Sequence, residues 1–285
     1  MTLDQSNRAI DVGLDHLRRI GVAWSAPPTD EEVQQEFEEL WRRIGTGPIE
    51  ALVDLPPMTD PIWRGAMDVL GQLLPPAVFA NRNLHSLVIA RMVNLSLEHG
   101  NTAASCFAYV WLGMLLGPRF GDYEAGFRFG QLGVDLVEKR GLLGFKARVY
   151  LGFGHVVPWT HHVRASVALA RTAVEAAEQT GDLSFANISR SALITLLLAS
   201  SEPLEAVERE AETFLELAQK ARFGLVADAI NGQLRLILTL RGLTPNFGCF
   251  TDAEFDERRF EARLAGDPGL AYAAWRYWIR KLQAR

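Results

Sequence analysis

The sequence predicts an all-α fold, arranged as an α-solenoid of helical hairpins, and three observations predict it. Across its 285 residues there is no run of strict apolar–polar alternation, the mark of a half-buried strand. Apolar residues recur instead at helical spacing, as at Tyr123, Phe127, Gly130, Val134 and Val137, and Phe129, Leu132 and Leu136 widen the stripe. A stripe that broad belongs to a helix packed between neighbours. The third observation is a repeat of about 40 residues, the length of a two-helix unit. Gly100, Gly141, Gly181 and Arg222 mark its anchors. Val93, Val134, Val174 and Leu215 then share one column, Leu95, Leu136, Ala176 and Leu217 a second, and Ile89, Gly130, Ala170 and Ala211 a third.

Residues 2–20 read as a helix stopping near Gly21. Thr29 and Glu32 form a capping box ahead of a helix over 30–44. Thr59-Asp60-Pro61 opens the next helix with proline at N1, and Pro75-Pro76 is expected to interrupt that helix or join it to its successor. In the repeat, each anchor glycine suits the left-handed position that closes a helix, and Lys139-Arg140 suits the negative end of the dipole. The helix after each anchor is more apolar still, as at 103–116 and 191–199. In the last unit Arg222 replaces the glycine and Gly224 is expected to supply the turn. Gly113, Gly152 and Gly154 would let helices approach closely. A loop over 242–251, a helix over 252–264 and a last helix near 268–283 complete the chain. This divides it into an N-terminal helical part (1–100), regular hairpins (101–242) and C-terminal loop and helices (243–285), in one continuous superhelix.

A net charge of −5 argues against a nucleic-acid partner, which needs a basic stripe to neutralise phosphates. Cys106 and Cys249 lack the paired spacing of a metal or disulfide framework. After Met1 there is no basic segment leading into an apolar one, so no secretory signal is expected. The longest apolar stretches, 110–117 and 192–200, fall short of the ~20 residues that cross a bilayer. The expected setting is cytoplasmic, with no membrane and no cofactor.

The start Gly121-Asp122-Tyr123-Glu124-Ala125 resembles the second helix of a tetratricopeptide repeat, making the hairpins tetratricopeptide-like. "LVIARMVNLSLEHGNTAASCFAYVWLG", "RFGDYEAGFRFGQLGVDLVEKRG", "SSEPLEAVEREAETFLELAQ", "FTDAEFDERRFEARL" and the "MTDP" at 58–61 together resemble the helical-repeat region of very large bacterial signalling proteins. There a serine/threonine-kinase-like domain and an AAA/STAND-type ATPase domain precede the repeats. GAF or PAS sensor domains and histidine-kinase or cyclase output domains follow. The resemblance implies an internal fragment of a larger chain and carries over no catalytic residue.

No phosphate-binding loop is present: "GLLGFK" at 141–146 lacks the G-x-x-x-x-G-K-[ST] spacing. His155, His161 and His162 lack carboxylate or cysteine partners at ligand spacing, so no metal is expected. Asp252, Glu254, Asp256 and Glu257 read as an exposed acidic helix start. The binding candidates are Tyr109, Tyr150, Asn187, Arg190, Asp228, Asn231 and Arg235, which share one face of the helices after the anchors, the face that would line a concave groove. The competing reading makes the polar members a solvated face and the tyrosines core. On the groove reading Arg190 is exposed, and its removal should leave folding nearly intact.

The expected function is a non-catalytic sensing or interaction module of a multidomain signal-transduction kinase/ATPase. Its groove would take a partner segment or ligand, supplied by the adjoining ATPase/kinase domains or by a separate protein or peptide. The alternatives are a structural or homo-oligomerising spacer and, from a different class, an all-α enzyme with an unrecognised site.

Overall fold

Every extended element among the described residues is helical, and a lone bridge between Pro57 and Asn101 is the one β contact there. The structure, a computed structural model, describes residues 3–25, 27–253 and 255–285. Met1, residue 2 of the first expected helix and Glu254 of the acidic run lie outside the described residues. The helices are α1 (Leu3–Arg19), α2 (Asp30–Ile44), α3 (Pro61–Ala80), α4 (Arg82–His99), α5 (Ala103–Phe120), α6 (Tyr123–Arg140) and α7 (Leu143–Val156). Then come α8 (Arg164–Thr180), α9 (Leu183–Ala199), α10 (Leu204–Lys220), α11 (Gly224–Leu240), α12 (Glu257–Gly266) and α13 (Ala271–Gln283). The chain forms two compact units, Met1–His161 and His162–Arg285, a division inside the 101–242 stretch.

In the first unit α1 packs on α3, α2 and α3 on α4, and from α4 to α7 each helix packs on the next. Local chemistry sets the starts. The Thr29 hydroxyl accepts from Glu32 N at 3.1 Å while the Glu32 carboxylate accepts from Thr29 N at 2.8 Å. Asp60 Oδ1 accepts from Ile62 N at 2.8 Å, ahead of Pro61 at N1. The expectation for Pro75-Pro76 is corrected: α3 runs through both prolines to Ala80. Burial of Leu70, Leu73, Leu74 and Ala77 holds this stretch helical against the two missing N–H donors. The break comes at Asn81, whose side chain accepts from Asn83 N and Leu84 N and so starts α4.

Helices α5 and α6 meet through glycine. A Cβ on Gly113 would stand 2.5 Å from the Gly126 carbonyl oxygen, and one on Gly133 would stand 2.6 Å from the Cys106 carbonyl oxygen. Only hydrogen fits at these positions. A Cβ on Gly152 would collide with the Val110 side chain, and Gly154 is buried.

The paired helices recur at the spacing read from the sequence. First members open at Arg82, Tyr123, Arg164 and Leu204, and second members at Ala103, Leu143, Leu183 and Gly224, each about 40 residues after the last. Val93, Val134 and Val174 are buried, as are Leu95, Leu136 and Ala176. The fourth copy departs, since Leu217 is 36% exposed.

In the second unit α8 packs on α9, α9 on α10 and α11, α10 on α11, and α13 on α11 and α12. One core joins Leu193, Ile194, Val207, Ala211, Ile230 and Ile237; another gathers Phe250, Phe255, Phe260, Leu264 and Tyr277. The turn after α10 corrects the sequence expectation. Arg222 itself takes the left-handed conformation (φ 58°), and Gly224 is the first residue of α11. The closing bond is preserved: Phe223 N donates to Ala218 O at 2.9 Å, as Leu142 N does to Val137 O at 3.0 Å and Asp182 N to Ala177 O at 2.9 Å. The helix expected from residue 252 starts only at Glu257, because Asp252 accepts from Phe255 N at 2.8 Å and Asp256 caps α12 by accepting from Arg259 N at 3.0 Å. Asp256 is exposed at the start of α12 as expected, but two members of the acidic run are not solvated. Asp252 pairs with Arg235 and Glu257 with Lys281, all four side chains largely covered.

Candidate functional site

The seven residues selected from the sequence fall into two sets, Tyr109 and Tyr150 in the first unit and the other five in the second. Tyr109 is 0% exposed and donates its hydroxyl to Asn101 Oδ1 at 2.7 Å, and burial pushes the phenol's pKa up. It therefore belongs to the core and lines no accessible surface, which corrects the groove assignment for this residue. Tyr150 is half-buried on α7 and donates to Glu138 Oε1 at 2.8 Å, while Lys146 lies over its ring. Burial, then the Glu138 contact, pushes its pKa up to about 12.

In the second unit the polar members are consumed by internal pairing. Asn187, 1% exposed, donates to Leu183 O at 2.8 Å. Arg190 is 8% exposed, donates to Glu178 Oε1 at 2.5 Å and to Asn187 Oδ1 at 3.3 Å, and lies over the Phe214 ring. Its predicted exposure is thereby corrected: α9 is packed on α8, α10 and α11, so a polar position there faces neighbouring helices. Buried Arg235 pairs with Asp252, receives support from Asn231 Oδ1 at 3.3 Å and lies over the Phe255 ring. Asp228 accepts two bonds from Arg263, at 2.6 and 2.9 Å. These groups tie α11 to the C-terminal segment.

Sequence reasoning missed a different place. Helices α9, α11 and α13, with the turn into α10 at Glu202 and Leu204, line an open cleft of about 450 Å³, whose walls include Thr195, Leu198, Leu236, Leu240, Arg280 and Gln283. Arg280 is 7% exposed, and donates from Nη2 to Thr195 Oγ1 at 2.6 Å and from Nη1 to Gln283 Oε1 at 2.8 Å. Arg276, one turn earlier, donates to Ser191 Oγ at 3.2 Å, and its buried Nε has no hydrogen-bond partner. Fully buried Gln233 joins the two helices behind them, donating to Ser191 O and Thr195 Oγ1, each at 2.7 Å. Arg190, Arg235, Arg241 and Arg263 each face a carboxylate, whereas among the described residues Arg280 contacts a hydroxyl and an amide and Arg276 a hydroxyl and the Tyr272 ring. Burial, then the charge of Arg276, pulls the Arg280 pKa down to about 10. The sequence carried a signal for this: "AYAAWRYWIRKLQ" places two arginines four residues apart on a helix with no acidic residue.

His161 stacks on Phe127 with ring centroids 4.2 Å apart, and His162 Nδ1 accepts from Arg164 N at 3.2 Å. Among the described residues no three His, Cys, Asp or Glu side chains group to hold a metal ion. Cys106 is buried, and burial raises its pKa to about 12, which suppresses the thiolate. Among the described residues no helix is long and apolar enough to cross a membrane.

The chain matches no protein-family model. In an alignment of 255 residues that covers 82% of this chain, it is 20% identical to the hybrid signal transduction histidine kinase G of Dictyostelium discoideum, and it spans 7% of that protein. The likeness and the all-helical fold are consistent with a region of a signalling protein.

Proposed function

We propose that the chain is a non-catalytic interaction module of a larger multidomain signalling protein, built as an α-solenoid of tetratricopeptide-like hairpins and acting by binding. The observation that carries this reading is the α9–α11–α13 cleft. Its polar groups are mainly arginine, hydroxyl and amide, which hold and orient a ligand, and its one wall carboxylate, Glu202, approaches Arg164 at 4.0 Å. The recurrence of helix pairs about every 40 residues supports the solenoid architecture. The likeness to a signal transduction histidine kinase supports the setting. In a parent carrying kinase and ATPase domains, an occupied module biases those domains only as far as the ligand prefers one of their arrangements.

The exposed Trp275, Trp278 and Leu282 on α13 support contact with a protein partner, and the net charge of −5 weighs against nucleic acid. In this reading Asn187, Arg190, Asp228, Asn231 and Arg235 brace the helices, and binding falls to the cleft beside them. A thermal-shift screen of the chain against a chemically diverse metabolite set, run beside phosphatase, esterase and kinase assays, tests it. Stabilisation without turnover is expected; turnover of any substrate contradicts the reading. The internal pairing of Arg190 and Arg235 favours a second reading, a structural spacer, which predicts no stabilising ligand together with self-association in sedimentation.

A further inference from the structure

We infer that the α9–α11–α13 cleft binds a small carboxylate with an apolar body, the carboxylate held by Arg280 and the body lying against Leu198, Leu236 and Leu240. This deepens the interaction-module reading and rests on it. The volume of about 450 Å³ falls in the range of small-molecule sites. An arginine that is 93% covered has left bulk water, and in that state a guanidinium calls for a counter-charge. Here, among the described residues, the fold supplies only the Thr195 hydroxyl and the Gln283 amide. Each uses one N–H of a group that carries five, so further donors remain for an anion.

Charge around the cleft points the same way. Arg276 adds a second cation one turn away, and its buried Nε is unpartnered. The acidic residue on the wall, Glu202, approaches Arg164 at 4.0 Å. Thr195 and Gln233 fix the geometry from behind, since Thr195 Oγ1 contacts both Gln233 Nε2 and Arg280 Nη2. The planar fork of arginine matches the two oxygens of a carboxylate. The leucine walls exclude a ligand that is all charge: a bare inorganic anion would fill only the polar end.

The test is isothermal titration calorimetry of the full chain with octanoate, octan-1-ol and inorganic phosphate at one ionic strength. Octanoate should bind saturably at one site, with the alcohol and phosphate each weaker by about tenfold or more, the loss that follows from removing a charge-assisted bond or the apolar contact. Arg280→Gln should weaken octanoate by a similar factor. Leu240→Trp, at a position 43% exposed, should fill the cleft without disturbing the core and abolish binding. If Arg280→Gln fails to fold by circular dichroism, Leu240→Trp and the octanoate–octanol comparison decide. No octanoate binding, binding undiminished in the variants, or octanol or phosphate binding as tightly overturns the assignment. If octanoate fails while the metabolite screen finds a ligand whose effect Leu240→Trp removes, the carboxylate assignment falls and the module reading stands.

Discussion

Arg190 shows what burial does to a residue whose type alone suggests exposure. Its guanidinium lies against Phe214 and joins Glu178 and Asn187, so Arg190→Ala removes packing as well as two bonds. Glu178 is half exposed and re-solvates, which keeps the expected loss near 1–2 kcal/mol, read from denaturant unfolding. His85 responds to pH. It sits edge-on to Trp111, its Nε2 has no partner, and burial, then the charge of Arg119, lowers its pKa to about 4. The folded protein keeps it neutral while the unfolded chain takes up a proton below about pH 6.5. Stability should therefore fall as pH drops from 6.5 towards 4, by roughly 2–3 kcal/mol from this group. Melting curves should show that slope in the wild type and a reduced one in His85→Phe; equal slopes would contradict the assignment. Neither environment was legible in the sequence. Helical spacing says which residues share a face, but α9 is covered by three helices and leaves only a narrow strip exposed, which includes Leu183 and Ile188, so periodicity cannot mark a groove. The partners of Arg235 and Lys281, Asp252 and Glu257, are joined to them only by the fold.

At the scale of elements, α5 and α6 meet at a distance that glycine sets. Gly113→Ala should force the Gly126 carbonyl away and cost about 1–3 kcal/mol, whereas Gly144→Ala, on α7 with nothing within 4 Å of its new Cβ, should be neutral or slightly stabilising. Paired melting temperatures check both, and equal effects would mean the helices are not in this contact. Val174→Asp places a carboxylate in the buried column of α8 and should cost several kcal/mol, also read as a fall in melting temperature. Element boundaries were largely legible because their chemistry is local: Thr29 with Glu32, Asp60 with Pro61, and Gly141 and Gly181 at helix ends. They were misread where a local rule met a stronger term, as when burial carried α3 through two prolines and when Arg222 took a glycine's conformation to keep the Phe223–Ala218 bond.

For the whole molecule, the repeat predicted helix pairs and the structure has them, while the division between its two units at His161 is marked in the sequence by little more than Pro158, in the turn after α7. The cleft was hidden for a related reason. It draws on α9, α11 and α13, and the last lies outside the repeating columns. Its clearest trace in the sequence is the acid-free stretch around Arg276 and Arg280. The assignment of a carboxylate ligand to this chain depends on that cleft being the place where the ligand acts. Hydrogen–deuterium exchange of the full chain, with and without saturating octanoate, examines this most directly, because local protection reports where opening is suppressed. The account predicts slower exchange in α9, α11 and α13, with α1 to α7 unchanged. Unchanged exchange in α9 and α13, or protection confined to other helices, would contradict it.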